Sequence, residues 1–323
     1  AADPGWAYGL YFGVLGTFTT GTPSLLLQGG FDAGNTFKVL SEQRVTNFAA
    51  APTVYRSLRA AKFATIPNLY LRCASSAGEP LTAEVNGWAE QALGVTVHDH
   101  YGQTEAGMLI NNHHHPVVKR PIKTGSMGQA LPGWKAVVLH NDRDVEVEPN
   151  QVGRIAFDLS ASPLAWFNGY QGNPEKSAEN FAGDGQWFLS GDVGCVDDEG
   201  YFHFSSRDDD VIIMAGYRIG PFEVESVIAT HPDVIETAVI AVPDEVRGEV
   251  IEAYVVLREG KAGSEAIAKD IQQWVKTKYA AHAYPRQIHF SDTLPKTPSG
   301  KIQRFVLKKQ RLAELEHLEK GSK

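Results

Sequence analysis

The stretch LYLRCASSAGEPLTAEVNGWAEQALGVTVHDHYGQTE, residues 69–105, decides the fold class. Residues 69–74 read as a strand, 82–93 as a helix with Thr82 in the capping position, and 96–99 as a second strand. Toward the N-terminus, 6–18 read as a buried helix and 24–27 as a short buried strand. An amphipathic helix over 35–42, a strand over 45–49, and a helix over 52–62 with Pro52 in its first turn complete the pattern. Strands and helices alternating in this way predict an α/β layered sheet. Ligands in such sheets sit beyond the carboxyl ends of the strands. The polar runs SAGEPL (76–81) and DHYGQTE (99–105) each follow a strand.

Downstream the texture changes. Residues 137–140, 153–159 and 201–204 read as strands separated by Gly, Pro, Asn and Asp turns. They predict a small antiparallel subdomain of distorted-barrel type over about 116–209. From Val211 a third unit begins with a hairpin around Met214-Ala215-Gly216. A helix (221–230), two strands (234–242 and 250–257), a helix (264–278), a strand (287–290) and a final amphipathic helix from near Lys301 follow. The expected organisation is therefore a larger domain over 1–209, with an α/β part to about 115, and a compact α+β domain over 210–323.

Composition agrees with an ordinary globular chain. The 323 residues are 43% hydrophobic and 21% charged, which excludes disorder, collagen-like repeats and a coiled-coil rod for the whole chain. The net charge of −8 disfavours a dedicated nucleic-acid binder. Charge is uneven, however: residues 296–323 hold eight Lys/Arg against three Glu. Cys73 and Cys195 are the only cysteines and are far apart, so a disulfide framework or a zinc–cysteine site is not expected and a cytoplasmic setting fits. Residues 4–31 carry no charge, but Gly and Thr-Thr-Gly-Thr-Pro interruptions leave no apolar run of membrane-spanning length.

The motifs of dinucleotide-binding, P-loop, serine-hydrolase and zincin proteins are absent. Four segments remain: SAGEPL (76–81), DHYGQTE (99–105), SGDV (190–193) with SRDDDV (206–211), and PKTPSGKIQR (295–304). Singly each has an ordinary structural reading as a turn, a core aromatic or a solvated loop. In this order and spacing, with GYRIGPFEVE (216–225), VRGE (246–249) and YPR (284–286), they closely resemble the signature motifs of the AMP-forming acyl-coenzyme A synthetases. The resemblance runs over essentially the whole chain and is strongest to medium-chain and related bacterial members.

That resemblance implies a two-step ligase. A carboxylic acid and ATP give an acyl-adenylate and pyrophosphate, and coenzyme A then displaces AMP. It implies that Gly78, Glu79 and Pro80 form a flat surface against one face of adenine and Tyr101 stacks on the other. Asp99, His100, Gly102 and Gln103 line the same pocket. Thr104 meets the α-phosphate, Glu105 holds Mg²⁺, and Asp192 and Arg207 bind the ribose. Lys301 is the implied adenylation catalyst, with Thr104 and Glu105 completing the catalytic set. Asp209 is the implied hinge about which the C-terminal domain rotates. Ala215, Gly216, Tyr217, Arg218, Arg247, Lys276 and Tyr284 match positions that contact coenzyme A or phosphates. Gly102, where acetate-specific relatives carry Trp, is read as leaving room for an acyl group larger than acetyl.

The sequence departs from the family pattern in three places. AAHA (280–283) replaces the usual text before Tyr284, which weakens the transfer to Lys276 and Tyr284. HHH (113–115) is read as a variable surface loop rather than a metal cluster, because adjacent histidines converge poorly on one ion. The family's Ser/Thr/Gly-rich phosphate loop is expected upstream of residue 6, and 17–23 does not replace it because no Lys follows Pro23. Residue 1 is thus expected to fall inside the fold. A non-catalytic nucleotide- or coenzyme A-binding remnant, and an enzyme loading a carrier protein, stay open as alternatives. So does a homo-oligomer.

Overall fold

The computed structural model describes residues 2–61, 68–215, 217–244, 246–297 and 302–321. They form two compact units, Ala1–Phe204 and Ser205–Lys323. Among them no helix is long and apolar enough to cross a membrane.

The first unit opens on the predicted α/β layer. Strands β1 (Asn47–Ala49), β2 (Cys73–Ala77), β3 (Val97–Gln103), β4 (Gly107–Asn111) and β5 (Gln129–Ala130) lie side by side in that order. β1, β2 and β3 are mutually parallel, while β4 and β5 are antiparallel additions. Helices Ala33–Glu42, Pro52–Ala60 and Ala83–Ala92 supply Phe37, Leu40, Tyr55, Leu58, Val85 and Ala89 to a core shared with Phe48 and Val97. Asp32 caps the first of these, accepting from Asn35 N at 2.7 Å, and Pro52 occupies the first turn of the second. Thr82 stands at the cap of the third but makes no capping hydrogen bond with its side chain. Asn86 ties that helix to β3 instead, accepting from Val97 N at 2.9 Å.

β2 begins later than the apolar run at 69–74 suggests. Its members Ser75 and Ser76 are buried because each has a partner. Ser75 Oγ is 2.7 Å from the Tyr8 hydroxyl, Ser75 O accepts from Tyr55 Oη at 2.9 Å, and Ser76 Oγ donates to Asp99 Oδ1 at 3.3 Å. A polar strand so satisfied costs little to bury, but it hides from a reading based on apolar runs.

The N-terminal segment differs from expectation. Residues Ala7–Leu10 and Gly16–Thr20 are α-helical around a π-turn at Tyr11–Leu15, but only Tyr8 and Gly9 are buried. Phe18 is 80% exposed. Leu25, Leu26 and Leu27 are exposed and belong to no strand. A strand needs a neighbour for its N–H and C=O groups, and no ladder joins these leucines among the described residues.

The second sheet of this unit contains β6 (Ala136–Leu139), β7 (Gly153–Asp158), β8 (Phe181–Ala182), β9 (Trp187–Val196) and β10 (Phe202–Arg207), in the order β10-β9-β7-β6 with β8 beside β9. It is an open sheet rather than the expected barrel, because among the described residues its ends do not pair. β9 was not anticipated as a whole: Ser190-Gly-Asp192 interrupts its apolar pattern. Ser190 is accommodated by donating its hydroxyl to Ile155 O at 2.7 Å. β10 carries the chain across the boundary into the second unit.

Among the described residues, the second unit has a five-stranded sheet and three α-helices. β11 (Ile212–Met214), β12 (Tyr217–Ile219), β13 (Val234–Asp244), β14 (Gly248–Leu257) and β15 (Gln287–Phe290) take the order β12-β11-β14-β13, with β15 beside β14. Helices Pro221–Ile228 and Glu265–Lys278 contribute Val224, Ile228, Ile271 and Val275 to a core with Ile251 and Val255. The last helix, Arg304–Gly321, is pinned by two buried carboxylates. Arg304 grips Glu225 through Nε and Nη2 at 2.8 and 2.6 Å, and Arg311 Nε donates to Glu252 at 2.8 Å. His289 Nε2 meets the same Glu252 at 2.6 Å.

Gly102 occupies a bulge where β3 and β4 slip register. A Cβ there would meet Gly107 O at 2.2 Å and Met108 Cα at 2.8 Å. The missing side chain therefore permits a close backbone approach between β3 and β4. Gly102→Ala is expected to destabilise the first unit by about 2 kcal/mol through overpacking, read by chemical denaturation.

Burial pushes the Glu252 carboxyl up, but hydrogen bonds from His289 and Arg311 outweigh it and hold the group below its ordinary value of 4.5. A carboxylate lowered in the folded state adds stability above the unfolded value, and that stability is lost as pH falls through the lower, folded one. Glu252→Gln is thus expected to cost about 2 kcal/mol at pH 7, since it takes the buried carboxylate from Arg311 and leaves that side chain with Glu314 and Gln287. The gap to the parent chain should narrow as melts are repeated below pH 4.5.

Candidate active site

In the parallel pair β2–β3, Ser76 faces Asp99 and Ala77 faces His100. The turn Gly78-Glu79-Pro80 therefore leaves β2 at the level where β3 runs on through Tyr101, Gly102 and Gln103. Gly78 has φ +93°, a left-handed backbone that favours glycine. The Glu79 carboxylate turns back to its own scaffold, accepting from Arg56 Nη2 at 2.6 Å and from Thr53 Oγ1 at 2.8 Å. These bonds hold the turn in place from the helix Pro52–Ala60.

Asp99 is buried, and burial raises its carboxyl to about 7 against the hydrogen bonds it accepts from Leu81 N, Ser76 and His100 N. His100 is buried among the rings of Tyr8, Phe12 and His114. Burial, with His114 and His98 nearby, lowers it to about 3, so the ring is neutral. Its Nδ1 has no hydrogen-bond partner. Of the three consecutive histidines, His115 is exposed as expected, whereas His114 stacks on His98 with centroids 3.7 Å apart. No group of three metal-ligating side chains occurs among the described residues.

The next residues reach the second sheet. Tyr101 Oη donates to Asp192 Oδ2 at 2.5 Å, and Gln103 Nε2 donates to Ser190 O at 2.8 Å. Burial and the Asp192 charge push the Tyr101 phenol well above its ordinary range, so it stays a donor. Thr104 is exposed, and Glu105 Oε1 accepts from Tyr170 Oη at 2.8 Å. Gly78, Glu79, Pro80, Asp99, His100, Tyr101, Gly102, Gln103, Thr104, Glu105 and Asp192 all lie in this first unit. Arg56 and Tyr170 were not anticipated. Each touches an expected site residue across 23 and 65 positions of chain, respectively, and neither lies in the segments that carried the sequence reading.

A divalent cation fits this donor set. Thr104 and Glu105 offer hard oxygen donors, and a single carboxylate suits Mg²⁺, which takes its remaining ligands from phosphate oxygens and water.

The remaining expected residues belong to the second unit. Arg207 ends β10 and is exposed. Asp209 lies in the 3₁₀ turn Asp208–Asp210. Ala215 has φ +50°, and its N–H donates to Arg247 O at 2.9 Å. Arg247 N in turn donates to Asp244 Oδ1 at 2.7 Å. Tyr217 stacks on His282 with centroids 4.2 Å apart, and Arg218 is 3.6 Å from Asp208. The Lys276 ammonium and the Arg286 guanidinium each sit 3.9 Å from the centre of the Tyr284 ring. These contacts join Lys276 to Tyr284 and add His282 and Arg286, which were not anticipated as site residues. Gly216 and Lys301 lie outside the described residues.

Comparison with known proteins bears on this geometry. A family model described as AMP-binding enzyme matches residues 1–165, and one described as AMP-binding enzyme C-terminal domain matches 223–301. An uncharacterized acyl–CoA ligase of Bacillus subtilis, YtcI, is 40% identical over 96% of this chain and 57% of its own length. Acetyl-coenzyme A synthetase of the same organism is 40% identical over 95% of this chain and 53% of its own length. The crystal structure of the anthranilate CoA ligase AuaEII with anthranoyl-AMP superposes with a TM-score of 0.85 at 31% identity, covering 96% of this chain and 58% of that one. The chain thus spans about half the length of the curated relatives it matches. With family models on both its units and signature motifs in the matching order, the chain belongs to the AMP-binding enzyme family.

Proposed function

We propose that the protein carrying this chain is an acid–thiol ligase that activates a carboxylic acid with ATP and passes the acyl group to coenzyme A. The observation that carries this reading is the Tyr101–Asp192 hydrogen bond of 2.5 Å, which sets the ring read as the adenine platform beside the carboxylate read as the ribose acceptor. Likeness to relatives named as coenzyme A ligases supports it.

In the first step a substrate carboxylate oxygen attacks the α-phosphorus of ATP, and the bond to pyrophosphate breaks. Charge accumulates where the two anions meet, so the residues must position and neutralise. Gly78, Glu79 and Pro80 carry one face of adenine, Tyr101 the other, and Asp99, His100 and Gln103 line the base. Asp99, raised to about 7, is partly protonated near neutral pH and adds little repulsion toward a triphosphate. Asp192 accepts from the ribose hydroxyls, and Arg207 donates to the same sugar. Thr104 donates to the α-phosphate. Mg²⁺ held by Glu105 would neutralise charge on the phosphate oxygens. Lys301 places its ammonium between the attacking and leaving oxygens.

In the second step the coenzyme A sulfur, having lost its proton, attacks the acyl carbon and AMP leaves. A domain of residues 210–323 turns about Asp209, replacing the Lys301 segment with Ala215, Gly216 and Tyr217. Arg218, Arg247, Lys276 and Tyr284 contact the phosphates and nucleotide of coenzyme A. The Gly216-Tyr-Arg218 and Arg247 matches favour coenzyme A over a carrier protein as acceptor. A reducing, cytoplasmic setting suits a thiol substrate.

ATP–pyrophosphate exchange with a panel of carboxylic acids, run on this chain and on the full-length gene product, tests the reading. Exchange by neither overturns it. Lys301→Ala is expected to lower acyl-AMP formation by at least about 10²-fold while sparing thioester formation from supplied acyl-AMP. Equal loss in both half-reactions would remove the role. Asp209→Pro is expected to slow thioester formation by more than about tenfold with adenylation little changed, since only the second step needs the rotation. Rapid-quench measurement of each half-reaction decides it.

A further inference from the structure

Glu105 receives a hydrogen bond that none of the signature segments supplies. Tyr170 Oη donates to Glu105 Oε1 at 2.8 Å. Tyr170 lies on the long connection between β7 and β8, and that connection is firmly held. Its backbone N–H donates to Ser177 Oγ at 2.7 Å, and Ser177 Oγ donates to Asn173 O at 2.7 Å. Gly169, with φ +124°, packs so tightly on Ser177 that a Cβ would come within 2.7 Å of Oγ. The Tyr170 ring meets Phe167 edge-on, with centroids 5.1 Å apart, and Phe167 packs against Phe181 and Phe188 in the core. The phenol is therefore presented from a rigid base.

A phenol has one proton to give. Fixing it on Oε1 restricts rotation of the Glu105 carboxylate and leaves Oε2 without that donor. No second partner of Glu105 is found among the described residues. Groups that orient a metal-binding carboxylate in this way commonly alter cation affinity by tenfold or more.

We propose that Tyr170 is a positioning residue that sets the Glu105 carboxylate for its divalent cation. The role rests on the proposed reading of Glu105 as the cation ligand. It is tested by calorimetric titration of ATP, without carboxylic acid and so without turnover, across a series of MgCl₂ concentrations. In the parent chain ATP binding should strengthen as Mg²⁺ rises. Tyr170→Phe should raise the half-effective Mg²⁺ concentration about tenfold and leave ATP binding in EDTA unchanged. In a Glu105→Gln background the Tyr170→Phe change should have no further effect. An unchanged Mg²⁺ midpoint in Tyr170→Phe overturns the role and leaves the reading of Glu105 intact. A shift of the same size in both backgrounds also overturns it, because general loosening would not depend on Glu105, and this comparison holds even if Tyr170→Phe melts earlier. ATP binding that ignores Mg²⁺ in the parent chain overturns the reading of Glu105, and the role of Tyr170 falls with it.

Discussion

The hydrogen bond from Tyr101 to Asp192, 2.5 Å long and spanning 91 residues of chain, is the constraint on which the first unit's site depends. Tyr101 belongs to β3 of the α/β sheet and Asp192 to β9 of the antiparallel sheet. Gln103 repeats the tie on the Ser190 carbonyl. With two such bonds, the end of β3 cannot move independently of β9. Burial strengthens the link, since a phenol kept protonated by its surroundings has no competing state in which it ceases to donate. The segment through Thr104 and Glu105 then leaves the sheet from a fixed point, and the turn at Gly78 is fixed separately by Arg56.

The same logic governs the second unit. Its last helix is amphipathic only in part, and apolar packing alone would let it slide along the sheet. Two arginines, Arg304 and Arg311, lock onto Glu225 and Glu252, seven residues apart on the helix and on different sheet-side elements. Glu225 also accepts from Val239 N at 2.8 Å, so the pin reaches into β13. Paired buried charges add less net stability than their Coulomb attraction suggests, but they discriminate sharply between registers, because any slip strands a charge in the interior.

Periodicity made the α/β alternation, the antiparallel middle and the α+β end legible in the sequence. Gln287–Phe290 and the hairpin at Met214 stand where expected. What escaped has a common cause. β2, β3 and β9 bury serine, aspartate and histidine, and such strands look like loops until their partners are known. At Leu25–Leu27 the opposite holds: the run is apolar, but among the described residues no strand pairs with it. The site was legible where its residues form contiguous motifs. Tyr170 and Arg56 were not, because each acts on a motif from a distance that only folding closes. Gly102 was visible as a glycine, but the bulge that would set a Cβ there 2.2 Å from Gly107 O appears only in the fold.

The candidate site residues of the two units differ in charge. In the first unit Asp99, Glu105 and Asp192 are the acidic candidates, and each has a hydrogen-bond partner. Asp99 is raised to about 7 by burial, Asp192 accepts from Tyr101, and Glu105 accepts from Tyr170. Its nearby histidines are neutral, His100 and His114 being lowered to about 3 and 4, and Arg56 is engaged by Glu79. Such a surface suits an uncharged base and a sugar better than a triphosphate. The cations, Arg207, Arg218, Arg247, Lys276 and Lys301, belong to the second unit. Buried groups whose hydrogen-bond partners are already in place keep their orientation without help from solvent, so these residues of the first unit are set by the fold itself.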